Sequence, residues 1–324
     1  MKGGILIKRL EDLYKKASVS DMATVCIACA EDANVLEAVE SAKNIAKFIL
    51  VGDTEKIRRE ADAAKADISR MEIVNEPNPV AACNTAVQLV SYGMAQALMK
   101  GHVDTSIIMK AVLDKEAGMR TGRKLSHLAV FELPTYHKLL FVTDAAINIA
   151  PDLDAMIEII NNSVEAVLSL GIEMPKVALL AAKEKSDPKM PVTEFVENIA
   201  ARHSIYNQFW SERGTGSLAS QLDIDPEEAA FTARFHLDGP LALDNAICRE
   251  SVKIKGIDSP VGGDADILVC PDIEAGNILY KALAFLANAK NGGVVLGAKR
   301  PIILTSRADS AESKLISIAL GILS

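Results

Sequence analysis

Short apolar runs alternate with amphipathic segments in the first third of the chain. The runs lie at 24–30, 48–51 and 71–75, and they have the length and branched side chains of buried strands. Segments with the apolar spacing of helices lie at 5–16, 34–46, 54–66 and 80–93. This alternation predicts a parallel sheet that is covered by helices on both faces.

The pattern continues after residue 93 and is interrupted once. Further strands are predicted at 96–99, 128–131 and 139–142, and a loop-like stretch follows at 145–154. A second set then begins, with helices at 154–170, 191–203, 245–255 and 274–286 and strands at 177–181 and 267–270. The last strands, at 294–296 and 301–305, would return to the first set.

These breaks predict two α/β domains. The first consists of residues 1–144 and 287–324, and the second of residues 145–286. Residues 202–237 do not fit the alternation, so we interpret them as an insertion with a short helix from Pro226. A chain that leaves one domain and later completes it forms a cleft between the two.

Composition agrees with this architecture and narrows the ligand class. Of the 324 residues, 49% are hydrophobic but only 4% aromatic, so the cores must consist mainly of Ala, Val, Ile and Leu. The net charge of -8 argues against a nucleic-acid partner, because binding to phosphate backbones needs a basic face. A small polyanionic ligand needs only local positive charge.

The chain shows no signal-peptide pattern and no apolar run of membrane-spanning length, which predicts a cytoplasmic protein without a membrane partner. Cys26 and Cys29 lie on a predicted strand and would point to opposite faces, so we expect core residues rather than a disulfide or a metal site. The five histidines show no metal-ligand spacing.

The stretch 301–312 is the first candidate site. A buried strand ends there and a helix begins near Ser310, so Ser306 and Arg307 occupy a strand-to-helix corner. A helix start attracts anions, and a guanidinium beside it can hold a phosphate through two hydrogen bonds. The alternative is an arginine that pairs with Asp309 or Glu312 as a surface cap.

The turn that follows the strand at 96–99 is the second candidate. Lys100 and Gly101 lead into a helix that Asp104 or Thr105 would cap, and ligands of α/β sheets bind beyond the carboxyl ends of strands. A simple capped turn is the alternative. Other polar residues flank the ends of apolar runs, namely Ser126, His127, Asp144, Asn148, Asp244, Asp272 and Asn277.

Read together, the stretches 140–148, 238–245, 271–277 and 306–312 resemble the phosphate acetyl/butyryltransferases. The resemblance implies two three-layer α/β/α domains of the isocitrate/isopropylmalate dehydrogenase type, with an active site in the interdomain cleft and at least a homodimer. The implied reaction converts acyl-CoA and orthophosphate to acyl phosphate and CoA without a metal or cofactor, with butyryl preferred over acetyl.

The resemblance also implies roles for individual residues. Ser306 and Arg307 match the family's Ser-Arg pair, in which the arginine stabilises the transition state. The family's aspartate base corresponds to Ser313 here, and the nearby substitutes are Glu312 and Asp309, of which Glu312 is our expected base. The expected contacts to phosphate and acyl-CoA are Lys100, Gly101, Thr105, Ser126, His127, Asp144, Asn148, Asp244, Asp272 and Asn277.

Four alternatives stay open at this point. A phosphate acetyltransferase would differ only in acyl-chain preference. A metal-dependent hydroxyacid dehydrogenase needs clustered Mg²⁺-binding carboxylates and a nicotinamide site, which the sequence does not assemble. A catalytically silent acyl-CoA-binding protein gains support from Ser313 at the base position. Finally, Cys270 at a strand end is a competing covalent nucleophile.

Overall fold

Eleven strands form one continuous sheet in the computed structural model, which describes residues 7–211, 225–305 and 309–324. The strands are β1 (Ala23–Ala28), β2 (Ala46–Gly52), β3 (Glu72–Asn75), β4 (Ala97–Lys100), β5 (Ser126–Glu132), β6 (Leu140–Thr143), β7 (Lys176–Leu180), β8 (His236–Leu241), β9 (Ile267–Val269), β10 (Lys290–Leu296) and β11 (Ile302–Ile303). Their spatial order is β3-β2-β1-β4-β11-β10-β5-β6-β9-β7-β8.

Twelve α-helices of the described residues connect these strands. They are α1 (Leu10–Val19), α2 (Ala33–Ala42), α3 (Thr54–Ala64), α4 (Pro79–Ser91), α5 (Thr105–Val112), α6 (Leu153–Ser169), α7 (Pro191–Ser211), α8 (Pro226–Thr232), α9 (Leu243–Ile247), α10 (Arg249–Lys255), α11 (Ile273–Lys281) and α12 (Ala311–Leu323). A π-helical turn at Ala282–Leu286 extends α11.

The sheet consists of two parallel blocks that run in opposite directions. Strands β3, β2, β1, β4 and β11 are parallel to one another, and so are β6, β9, β7 and β8. Strands β10 and β5 lie between the blocks and form the antiparallel pairings. The structure thus confirms the predicted α/β class with a mostly parallel sheet, and β11 returns to the first block as expected.

The two faces of the sheet are packed differently. One face carries a continuous apolar core that extends from β2 to β8 beneath α2, α12, α6 and α7. The other face carries two separate cores: α4 and α5 cover β1, β4 and β11, whereas α9 and α11 cover β6, β9 and β7. The helical layer is therefore interrupted between these two cores, above β10 and β5.

Local sequence explains how several helices begin. Asp32, Asp53, Asn78, Asp152 and Asp272 each accept hydrogen bonds from first-turn amides of α2, α3, α4, α6 and α11, respectively. Such caps satisfy amide groups that have no partner within the helix.

The structure corrects several predicted boundaries. The first helix begins at Leu10 rather than at residue 5. The helix predicted at 245–255 is two helices, because Cys248 between them has extended backbone angles. Of the stretch 202–237, the structure describes residues 202–211 and 225–237, and these are more regular than expected: α7 continues to Ser211 and β8 begins at His236. Helix α8 confirms the short helix predicted from Pro226.

Cys26 and Cys29 are buried free thiols, as predicted, but they do not point to opposite faces. Strand β1 ends at Ala28, and Cys29 has a φ of 55°, which turns its side chain into the same apolar cluster as Cys26. The period-two argument therefore failed one residue beyond the strand.

Candidate functional site

A cavity of about 430 Å³ lies in the gap between the two cores, over β11, β10 and β5. Its polar wall contains Lys100, Asp104, Thr105, His127 and Thr305, and its apolar wall contains Val103, Ile147, Val295 and Leu304, together with Ala146. Strands β4 and β11 are parallel neighbours, so their carboxyl ends bring Lys100 and Thr305 together. The predicted turn after β4 is thus part of a real cavity.

Lys100 and the start of α5 bring an ammonium group and backbone N–H donors to a cavity wall that also contains the Asp104 carboxylate. Lys100 is 5% exposed, and its Nζ donates hydrogen bonds to the carbonyl oxygens of Gly101 (3.3 Å) and Val103 (3.2 Å). Asp104 directly precedes α5, but its side chain does not cap the helix. The first-turn amides of α5 and the Lys100 ammonium therefore lie beside the same space, an arrangement that favours an anion.

Gly101 permits the close packing of this turn against β1. A Cβ at Gly101 would lie 2.0 Å from the carbonyl oxygen of Cys29, and the Gly101 amide donates to the Ala28 carbonyl at 2.8 Å. Gly101 therefore shapes the backbone that carries Lys100 and Val103, and it does not line the cavity itself.

His127 contributes a half-buried imidazole from β5. Its Nδ1 is buried and has no hydrogen-bond partner among the described residues, and its ring contacts Tyr280 of α11 edge-on at 5.9 Å. Burial lowers the pKa of His127 below the ordinary value. The negative charges of Asp144 and Asp309 act in the other direction, but their effect is smaller. The imidazole is therefore neutral at pH 7 and able to accept a proton.

Asp144 and Asn148 fold the turn that follows β6. The Asp144 carboxylate accepts hydrogen bonds from the amides of Ala146 (2.9 Å) and Ile147 (3.0 Å) and from the Asn148 side chain (2.6 Å). Asn148 Nδ2 also donates to the carbonyl of Leu125 at 2.7 Å. These bonds hold Ala146 and Ile147 against the cavity, so Asp144 and Asn148 support its wall without lining it.

Ser126 and Asn277 are supporting residues of the same kind. Ser126 is buried, and its Oγ accepts a hydrogen bond from Asn162 of α6 at 2.9 Å. Asn277 Nδ2 donates a hydrogen bond to the carbonyl oxygen of Ala145 at 3.1 Å. The neighbouring Gly276 packs so closely that a Cβ there would lie 2.2 Å from the carbonyl oxygen of Asp144. The first turn of α11 thus packs directly on the turn after β6.

Two predicted residues lie elsewhere. Asp272 caps α11 through the amide of Ala275 at 2.8 Å. Asp244 follows the edge strand β8 and pairs with Lys255 at 3.1 Å, and β8 lies four strand positions from β5, roughly 20 Å along the sheet. Neither lines the cavity.

Cys270 is a poor candidate for a nucleophile. Its thiol is buried, and burial together with the charges of Asp272 and Asp144 raises its pKa to about 12. The thiolate is the reactive form of cysteine, and it is scarce at neutral pH when the pKa is this high.

The predicted catalytic pair, Ser306 and Arg307, lies outside the described residues. Thr305, to which Ser306 is joined, lines the cavity. On the other side of the pair, the charge of Asp309 acts on His127 and on Tyr280. Of the nearest described residues on either side of the pair, Thr305 therefore lines the cavity, and the charge of Asp309 acts on the cavity residue His127.

Glu312 has different surroundings. Its carboxylate pairs with Lys290 Nζ at 2.7 Å, and its side chain is 52% exposed. It does not line the cavity. Ser313 stands at the position of the expected family base, and its backbone amide donates a hydrogen bond to the Oγ of Ser310, the residue that caps α12, at 3.1 Å.

Sequence reasoning missed the apolar wall of the cavity. Val103, Ile147, Val295 and Leu304 belong to ordinary apolar runs, so nothing in the sequence separates them from core residues. It also missed Asn162, which bridges Ser126 and the carbonyl of Lys124 (2.9 Å each).

Among the described residues, no group of three or more His, Cys, Asp and Glu side chains could hold a metal ion. None of the helices in the described ranges is long and apolar enough to cross a membrane.

Comparisons with known proteins identify relatives over nearly the whole chain. The family described as phosphate acetyl/butaryl transferase matches residues 79–204 and 227–322. A phosphate butyryltransferase from Clostridium acetobutylicum is 42% identical over 320 residues, which is 98% of each chain. A phosphate acetyltransferase from Rhizobium meliloti is 43% identical over 277 residues, 85% of this chain and 79% of that protein.

The solved structures include a branched-chain phosphotransacylase from Enterococcus faecalis V583. It matches with a TM-score of 0.76 and 33% identity, and the match covers 93% of this chain and 98% of that one.

Proposed function

Because the chain belongs to the phosphate acetyl/butyryltransferase family, we propose that it transfers a short acyl group between CoA and orthophosphate. The proposed reaction is butyryl-CoA plus phosphate giving butyryl phosphate plus CoA. Thiolate and phosphate act as alternate nucleophiles at one carbonyl carbon, so the transfer needs no metal or prosthetic group. The observation that carries the proposal is the cavity between the two cores, where an anion site and an apolar wall face the same space.

Phosphate occupies the polar side of this cavity in our proposal. The Lys100 ammonium supplies charge, and the uncapped first turn of α5 supplies backbone N–H donors near Thr105. Hydrogen bonds to an ionised partner contribute about 1.5–3 kcal/mol each, so two or three of them suffice for a substrate that binds in the millimolar range.

The acyl chain occupies the apolar side. Val103, Ile147, Val295 and Leu304 offer a surface without hydrogen-bond donors on their side chains, next to the phosphate site. Burial of each methylene is worth about 0.8 kcal/mol, which favours butyryl over acetyl if the cavity accepts all four carbons. The acetyltransferase relative has nearly the same identity as the butyryltransferase, so chain preference stays part of the proposal.

Arg307 is proposed to stabilise charge that develops on the phosphate and carbonyl oxygens. The support is its family match and the position of Thr305, two residues earlier, in the cavity wall. A well-placed donor of this kind typically contributes roughly 3 kcal/mol to transition-state stabilisation. Ser306 is proposed to orient the same oxygens.

His127 is proposed as the proton acceptor for the CoA thiol. Its imidazole is neutral and lines the cavity, and the nearby charge of Asp309 would stabilise the protonated form. A general base takes up the proton in the transition state, so the pKa of His127, which burial lowers, need not reach the ordinary thiol pKa of about 8.5. The pairing of Glu312 with Lys290 favours His127 over Glu312, and the two assignments are tested together below.

The proposed setting is the cytoplasm, where acyl-CoA is available and the five cysteines stay reduced as free thiols. The competing function is an acyl-CoA-binding protein without catalysis. Release of CoA from butyryl-CoA that depends on added phosphate distinguishes the two. Binding without release would overturn the proposed activity.

A further inference from the structure

The His127 imidazole lies over a glycine of the neighbouring strand. His127 of β5 is directly opposite Val295 of β10, and Gly293 is the next residue of β10 on the same face of the sheet. A Cβ at Gly293 would lie 2.6 Å from His127 Nε2, well inside van der Waals contact. The ring therefore occupies space that stays open because residue 293 is a glycine.

Tyr280 of α11 packs on the same imidazole from the helical layer. Its ring contacts His127 at 5.9 Å and Phe131, which is also on β5, at 5.3 Å, edge-on in both cases. The Tyr280 hydroxyl donates a hydrogen bond to the side chain of Asn291 on β10 at 3.0 Å, which fixes the far end of the ring. Tyr280 does not line the cavity, so it can influence the reaction through His127, which does.

Helix α11 is a firm support for this ring. Its first turn packs on the turn after β6, where Asn277 donates a hydrogen bond to the carbonyl oxygen of Ala145 at 3.1 Å. Further along, Leu279 and Leu283 pack with Tyr280 in the core that covers β6, β9 and β7. The position of the Tyr280 ring is thus set by contacts that lie outside the cavity.

The charged groups around His127 come from several elements. Asp144 after β6 and Asp309 before α12 act to raise its pKa, but burial lowers it by more. Lys100 and Asp104 face the same cavity from the end of β4 and the start of α5. Burial, aided by the charge of Asp309, raises the pKa of Tyr280 to about 12, so its hydroxyl does not titrate together with the imidazole.

We propose that Gly293 and Tyr280 are positioning residues for acyl transfer: Gly293 leaves room for the imidazole of His127, and the Tyr280 ring holds it there. The proposal rests on the proposed function, in which His127 accepts the thiol proton. Because Nδ1 is buried, the proton must be taken up at Nε2, the nitrogen beside Gly293.

The step that depends on this position is thiol attack on the acyl phosphate. The S–C bond forms, the bond between the acyl carbon and the phosphate oxygen breaks with its electron pair on phosphate, and the thiol proton moves to Nε2. A displacement of about 1 Å between reacting groups can lower a rate on the order of 100-fold. A ring that is free to rotate away from its place over β10 should therefore be a poorer base.

NMR titration of the His127 ring tests the positioning without any measurement of activity. The signal of histidine-labelled protein is assigned by its absence in His127→Gln. Wild-type His127 should titrate below the ordinary pKa of about 6.5. Tyr280→Leu exposes the ring and Gly293→Ala displaces it, so both should raise this pKa towards 6.5, whereas Tyr280→Phe keeps the ring contact and should retain the wild-type pKa.

Tyr92→Leu is the matched control for Tyr280→Leu, because Tyr92 is 76% exposed at the end of α4 and should leave the His127 titration unchanged. An unchanged His127 pKa in Tyr280→Leu or in Gly293→Ala would overturn the role of that residue. This result is independent of catalysis: a wild-type protein without acyl transfer would overturn the proposed function, and the titration would still decide where the ring is held.

Kinetics then test whether Tyr280 acts through His127. Tyr280→Leu and Gly293→Ala should each lower kcat for thiol attack roughly 10–100-fold with little change in the KM for acyl phosphate, since Lys100 and the start of α5 are untouched. Tyr280→Phe should restore kcat to within about threefold of wild type, because the ring and not the hydroxyl carries the contact.

A double substitution completes the kinetic test. His127→Gln combined with Tyr280→Leu should be no slower than His127→Gln alone, because a positioning residue has no effect once the group that it positions is gone. Losses that multiply would overturn the proposal, and so would a Tyr280→Phe variant as slow as Tyr280→Leu. Urea unfolding establishes that each variant is folded, and Gly293→Ala carries the same double-substitution test if Tyr280→Leu does not fold.

Discussion

Ile147→Ala tests whether the apolar wall selects the acyl chain. Ile147 is half-buried and lines the cavity. Its backbone amide donates a hydrogen bond to the Asp144 carboxylate at 3.0 Å, which holds the residue in place. The substitution removes three carbons from the wall and leaves its backbone hydrogen bond intact. The cavity should therefore lengthen without losing its phosphate site.

The size of the effect follows from burial of methylene groups. At about 0.8 kcal/mol each, the two extra methylenes of butyryl are worth about 1.6 kcal/mol over acetyl, or roughly 15-fold in kcat/KM. In Ile147→Ala a butyryl chain loses wall contacts, whereas a valeryl chain gains space for one further methylene. We expect the valeryl-to-butyryl ratio of kcat/KM to rise roughly fourfold or more.

The assay is release of CoA thiol from acetyl-, propionyl-, butyryl- and valeryl-CoA at saturating phosphate. Ile254→Ala is the control, since Ile254 is 76% exposed on α10 and outside the cavity. Thermal unfolding of both variants separates loss of stability from loss of selectivity. A uniform fall for all four substrates would refute the acyl pocket and leave Ile147 a structural role.

Other substitutions test the chemistry and the stability of the fold. Arg307→Lys keeps the charge but loses the paired hydrogen-bond geometry, so kcat should fall by most of its value. Cys270→Ala should remain active. An active Arg307→Lys variant together with an inactive Cys270→Ala variant would favour a covalent mechanism. His127→Gln should lower kcat for thiol attack by about 10²–10⁴-fold. Glu312→Gln breaks only an exposed ion pair and should leave kcat nearly unchanged. If Glu312→Gln instead lowers kcat and His127→Gln does not, Glu312 is the base. Burial lowers the pKa of His203 to about 4, so its stabilising contribution is present above pH 6.5 and is lost as the pH falls from 6.5 towards 4. Urea unfolding should show about 2 kcal/mol less stability at pH 5 than at pH 7 from this residue, and His203→Leu should flatten that part of the profile; an unchanged profile would contradict the assignment.

Most helices and strands could be predicted from apolar periodicity, and the exceptions have physical causes. Strand β8 contains Asp238, Gly239 and Pro240, which read as a loop in sequence. It is an edge strand of the sheet, where proline is tolerated because one side of the strand needs no ladder hydrogen bonds. The break at Cys248 carries neither glycine nor proline, so no local signal marks it.

The candidate site was predictable where neighbouring strands are parallel. Lys100 ends β4 and Thr105 follows it, and β4 pairs with β11 in the same direction, so their closeness to Thr305 at the end of β11 agrees with the strand-end pattern. Asp144 and Asp244 both follow strands of the opposite block, but β6 is next to β5 whereas β8 is the far edge strand, and no residue pattern reveals this spatial order. Strand order therefore separates residues that the sequence places in one class.

The base assignment shows the same limit at the scale of one helix turn. Glu312 was chosen because it directly precedes Ser313, the position that corresponds to the family's aspartate base. In the structure the first turn of α12 points it to Lys290, while the charge of Asp309 reaches His127. Spacing along the chain cannot resolve the direction of a side chain at a helix start.

We propose that this protein transfers a butyryl group from CoA to phosphate without a metal. The most direct measurement follows thiol release from butyryl-CoA with and without phosphate, each with and without EDTA. We expect CoA release to require phosphate and to be unchanged by EDTA. Butyryl phosphate should form in an amount equal to the CoA released. No release of CoA in the presence of phosphate would contradict the transferase assignment, and release abolished by EDTA would contradict the metal-free mechanism.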